Sequence, residues 1–137
     1  MIKFFNNPKS HPLELTLDGK IVIGTFEDEQ KELSSFRLSS KFKERFNKLI
    51  STHGTKLDSL KDAAIQQQNG YIYLIDHRTP DGIMGNVPPE DIIGAFEVQS
   101  GSLVQNSYQA NDKYQFYTKF GKPDLPPELL EMLKAKY

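Results

Sequence analysis

Asp76, His77 and Arg78 stand side by side where an apolar run, Tyr71–Ile75, comes to an end. Asp81, Glu90 and Asp91 follow in a stretch punctuated by Pro80-Asp81-Gly82, Gly85-Asn86 and Pro88-Pro89. A histidine can take up or release a proton near neutral pH, and a carboxylate beside it can fix its tautomer. His77 and Asp76 are therefore the candidate catalytic pair. A planar guanidinium grips carboxylate or phosphate through two parallel bonds, so Arg78, with Asp81, Glu90 and Asp91, forms the candidate binding set. Asp76, His77, Asp81 and Asp91 are also of the types that hold a hard metal ion. Adjacent residues of a strand point to opposite faces, however, so Asp76 and His77 share one centre only if the strand has ended before them. No metal and no other cofactor is expected. The same residues fit a plainer role: Asp81 turning the chain, Asp91 capping a helical turn, Arg78 pairing with an acid.

Lys41, Arg45 and Lys48 recur at helical spacing and share one face, with Arg37, Lys43 and Lys56 nearby. Such a face can meet phosphates, or it can be a solvated surface whose stems cover apolar neighbours. Tyr71, Tyr73, Tyr108, Tyr114 and Tyr117 carry rings with polar tips, suited to a pocket, an interface or the margin of a sheet. His11 and His53 stand alone. Phosphate-loop, nucleophile-elbow, zincin, EF-hand and dinucleotide fingerprints are absent.

Several elements must position these groups. Tyr71–Ile75 is apolar at every position, which predicts an interior strand covered on both faces. Upstream, Ile2–Phe5 reads as a short strand. Leu13, Leu15 and Leu17 alternate with polar residues, and Asp18-Gly19 is a hairpin turn leading into Lys20–Phe26. A two-residue loop would set Leu15 against Val22; a longer one would shift the register. Glu27–Glu32 reads as a loop or helical turn. Leu38, Phe42, Phe46, Leu49 and Ile50 make one helical stripe from Ser39 to a stop at Gly54. Thr55 and Asp58 resemble a capping box before a second helix bearing Leu57, Leu60 and Ala64. Downstream, Ile92–Gln99, the Ser100-Gly101 turn and Ser102–Gln105 form a hairpin with Phe96, Val98 and Leu103 on one face. Alternation from Tyr114 to Phe120 predicts a last strand. Pro127–Tyr137 is a helix, begun by proline and carrying acids early and lysines late.

These 137 residues suffice for one domain with a substantial core. The fold class is α+β: one domain over 1–137, a mainly antiparallel sheet built of hairpins, helices on one face. Net charge is −1, so no global field draws the chain to nucleic acid or membrane. The absence of cysteine excludes disulfides, thiolate metal sites and a thiol nucleophile. It also tilts the expected setting toward the cytoplasm. No stretch approaches the roughly 20 apolar residues of a membrane helix. The reading that follows is a small intracellular binding or adaptor module using residues 76–91, with a protein or small-molecule partner. One alternative is a hydrolase or phosphoryl-processing enzyme built on His77 and nearby carboxylates. Another is nucleic-acid binding through the basic face at 41–48.

Overall fold

In the computed structural model, residues 13–80 and 87–137 are described. The expected strand Ile2–Phe5, His11, Asp81 and the Gly85-Asn86 turn lie outside them. The first sheet has the order β1 (Glu14–Leu17), β2 (Ile21–Phe26), β3 (Phe36–Leu38), antiparallel throughout. Asp18 and Gly19 both take positive φ (52° and 75°), so the turn closes Leu17 against Ile21. The loop is thus longer than two residues, and a register shift after Leu15 sets Leu17, Ile21 and Ile23 into the core together. β3 escaped the sequence reading because it is only three residues long.

α1 (Ser40–His53) buries Phe42, Phe46 and Ile50, the periodic stripe read from the sequence. Ser39 caps it by accepting a hydrogen bond from the Phe42 N–H at 3.2 Å. α2 (Asp58–Gln67) departs from expectation at its start. Thr55 is not its cap. It sits in a preceding 3-10 turn, where its hydroxyl accepts from Gln105. The free N–H and hydroxyl of Ser59 are taken instead by Glu128 of α3 (Pro127–Lys136), at 2.9 and 2.8 Å.

The second sheet holds β4 (Gly70–Ile75), β5 (Ile92–Gln99), β6 (Ser102–Leu103) and β7 (Gln109–Ala110). β5 is central; β4 lies on one side, β6 and β7 on the other. The Ser100-Gly101 turn has positive φ at both residues and sets Val98 against Leu103, as the alternation implied. Ile72 and Leu74 of β4 join Ile93, Phe96 and Val98 of β5 in one apolar core with Leu60 and Ala64 of α2 and Leu129 and Leu133 of α3. The fold is an α+β domain of antiparallel hairpins and three helices, its strands divided between two sheets instead of one.

Two expectations are corrected. β4 is not covered on both faces. Ile72 and Leu74 are buried, whereas Tyr71 and Tyr73 are 47% and 57% exposed. A tyrosine ring counts as apolar in a run yet tolerates water at its hydroxyl, so the uniform run hides a period-2 strand. Alternation holds from Tyr114 to Thr118, with Tyr114, Phe116 and Thr118 buried, but it breaks at the exposed Phe120, and the stretch makes no strand ladder. Its backbone is bonded elsewhere, as the site explains. Among the described residues, no helix is long and apolar enough to cross a membrane.

Candidate functional site

The end of β4 turns its charges inward. Asp76 and Asp91 are 2% and 1% exposed, and Arg78 is 9% exposed. The Asp76 N–H donates to the Asp91 carbonyl at 2.8 Å, which carries the β4–β5 pairing one step past the strand. One carboxylate oxygen of Asp76 accepts from the backbone N–H of Arg78 and of Asp124, both at 3.0 Å. The other accepts from the Tyr114 hydroxyl at 2.7 Å. Burying a carboxylate is costly unless its lone pairs are met in this way.

Arg78 completes the cluster. Its Nε donates to Asp91 Oδ1 at 3.0 Å and lies 3.7 Å from Asp76. Its Nη2 donates to the carbonyls of Glu90, at 3.1 Å, and of Gln115. Nη1 reaches the Gly121 carbonyl at 3.4 Å. The guanidinium also lies 5.3 Å from the centre of the Tyr114 ring. Meanwhile the Gln115 N–H donates to the Glu90 carbonyl at 3.0 Å. Arg78 therefore does for 115–121 what a neighbouring strand would do, and the segment is held without a ladder. Burial and the adjacent Asp76 charge push the Tyr114 phenol well above its ordinary pKa, so it acts as a donor. Asp91 Oδ2 is buried with no hydrogen-bond partner.

The sequence-derived residues are thus divided. Asp76, Arg78 and Asp91 come together, but with one another and away from solvent. His77 is exposed on the opposite side; its N–H donates to the Asp124 carbonyl at 3.0 Å. The structure does not bring His77 and Asp76 to one centre. The cause is the alternation that sends neighbours to opposite faces. Glu90 is partly exposed and lines a cleft of about 550 Å³ on the outer side of the cluster. Among the described residues no group of three metal-ligating side chains converges.

This cleft contains residues that sequence reasoning missed. Leu33, Pro88 and Phe120 supply apolar surface; Thr79, Gln115 and Thr118 supply polar groups; Glu90 and Lys119 supply opposite charges. Leu33 and Phe120 are 50% and 43% exposed. Lys119 lies 5.2 Å from the centre of the Phe120 ring. The Leu33 wall is tied down by Tyr117, whose hydroxyl donates to the Lys31 carbonyl at 3.1 Å and whose ring meets Phe26 edge-on at 4.8 Å. The sequence signal for Leu33 was a lone apolar residue after the acidic Glu27–Glu32 stretch. For Phe120 it was an aromatic standing just before Gly121.

On α1, Lys41, Arg45 and Lys48 are exposed along one face. Arg45 is engaged: it donates to the Tyr137 carbonyl at 2.7 Å and lies 4.9 Å from the centre of that ring. Of the tyrosines outside β4, Tyr108 packs on Phe96 and donates to Asn47 at 3.2 Å, and burial raises its pKa. No protein-family model, curated protein or solved structure matches this chain, so function rests on its own geometry.

Proposed function

We propose that the protein is a small intracellular binding or adaptor module that receives an extended peptide segment of a partner protein in the cleft beside residues 76–91. The supporting observation is that two exposed apolar side chains, Leu33 and Phe120, line one recess together with Glu90 and Gln115, whose carbonyls are tied by Arg78. Large apolar residues left in water around a concave surface are a common mark of a binding site. Thr79, Gln115 and Thr118 offer the polar groups that would orient a peptide backbone, and Glu90 and Lys119 would select its charges. In this reading Arg78, Asp76 and Asp91 are positioning residues: they hold Glu90 and Gln115 in place and touch no ligand. The intracellular setting is suggested by the cysteine-free chain.

Selection of phage-displayed random peptides on the immobilised protein tests this. Peptides carrying an apolar anchor should be enriched. Phe120→Asp and Leu33→Asp should each weaken the enriched peptide at least about tenfold, since burying such a side chain contributes roughly 1.5–3 kcal/mol. Both variants should melt like the parent. No enrichment, or peptides that bind both variants as well as the parent, would overturn the proposal.

A further inference from the structure

The outer edge of β4 has no partner among the described residues. Glu97 of β5 directs its backbone away from β4: its N–H donates to the Ser107 hydroxyl and its carbonyl accepts from the Val104 N–H. Ile93 does the same, its carbonyl accepting from Asn111. Backbone groups alternate sides along a strand. The residues opposite Glu97 and Ala95, Tyr71 and Tyr73, therefore form the non-bonded positions of the β4–β5 ladder. Their N–H and C=O groups point outward from the sheet. From Gly70 to Ile75 this edge has no charge and no proline, two of the devices by which native edges are kept apart.

The edge is also self-complementary. Tyr71-Ile72-Tyr73 reads the same in both directions. A two-fold axis through Ile72 would set Tyr71 of one chain against Tyr73 of a second, twice over. The outward backbone groups of both residues have no partner among the described residues, so the two pairs would make four backbone hydrogen bonds. The four tyrosine rings would then lie on one continuous open face, where directly opposed aromatic pairs stabilise a sheet. No charge of β4 opposes its copy. We infer that the partner of this edge is a second copy of the chain, joined antiparallel through β4 into a sheet continuous across the dimer. A six-residue edge, about 20 Å long, buries less than a standard interface, so the association is weak and concentration-dependent.

Sedimentation equilibrium across roughly 10–500 µM should reveal a monomer–dimer equilibrium. Tyr73→Lys places a charge on the edge at an exposed position, and it should abolish the dimer with the melting temperature unchanged. The native chain has no cysteine, which allows the register to be read by cross-linking. Tyr71→Cys mixed with Tyr73→Cys should form a disulfide-linked heterodimer under oxidised glutathione. Directly opposed strand residues lie about 5.5 Å apart, within disulfide reach. Tyr71→Cys alone should cross-link at least tenfold more slowly, because its own copy would be displaced by two residues. A monomer at all concentrations, a dimer that survives Tyr73→Lys, or equal cross-linking by Tyr71→Cys alone would overturn the inference.

Discussion

Replacing Arg78 by methionine tests whether the buried cluster is the tie that the geometry implies. The substitution keeps an unbranched stem of similar bulk and removes the charge and every donor. Asp91 and Asp76 lose a cation at 3.0 and 3.7 Å, in surroundings where the Arg78 side chain is 2% exposed. Removing one partner of a buried ion pair typically costs about 3–5 kcal/mol. The Gln115 carbonyl also loses its donor, at about 1–3 kcal/mol where water cannot reach it, whereas the Glu90 carbonyl keeps the Gln115 N–H. These effects share one site and do not add fully, so the expected loss is about 4–6 kcal/mol. That is a large share of the roughly 5–15 kcal/mol by which domains are stable. Urea unfolding followed by circular dichroism measures it directly. Adding Asp91→Asn should restore roughly 1–2 kcal/mol, because one of the two stranded charges is gone. If Arg78→Met lost under about 1 kcal/mol, or if Asp91→Asn made it worse, the cluster would not be holding 115–121 and the floor of the cleft would need another support.

Three further outcomes follow from other parts of the chain. Glu128 is held below the ordinary glutamate pKa, chiefly by the Ser59 N–H and then its hydroxyl. A depressed carboxylate contributes stability that is present above its unfolded pKa, about 4.3, and lost as pH falls through the folded value. Glu128→Gln should therefore flatten the fall in melting temperature below about pH 4.3. Ser39→Ala removes the cap on the Phe42 N–H and should cost about 1 kcal/mol in the same urea assay. Gly94→Ala would bring a methyl group to 2.6 Å from the Gln109 carbonyl oxygen and 2.5 Å from the Tyr108 ring. It should destabilise by about 1–3 kcal/mol and loosen β7 in hydrogen exchange, since β7 pairs with β5 at that point.

Legibility in the sequence followed the range of the interaction. α1 could be read from the spacing of Phe42, Phe46 and Ile50, and the β5–β6 hairpin from Ser100-Gly101, because period and turn chemistry act over a few residues. Thr55 resembled a cap by the same local rule, yet Glu128, 69 residues from Ser59, took that role. A carboxylate arriving from another helix leaves no mark near the N–H it satisfies. The charged cluster behaves alike. Asp76, Arg78 and Asp91 were visible as chemistry, but their burial depends on partners 37 and 43 residues away, the carbonyls of Gln115 and Gly121. Tyr114 was visible as a ring with a polar tip in an expected strand, but nothing near it in the chain marked its hydroxyl as the group Asp76 requires in order to lie inside. This also explains why 114–120 imitates a strand. Alternation reports which side chains face a core; it does not report what bonds the backbone. Where a guanidinium takes the carbonyls and a neighbouring carbonyl takes the N–H, the face survives without the ladder. The outer edge of β4 is the converse case: strand backbone is present there with no partner among the described residues, and such an uncharged edge suits a second strand from outside the chain.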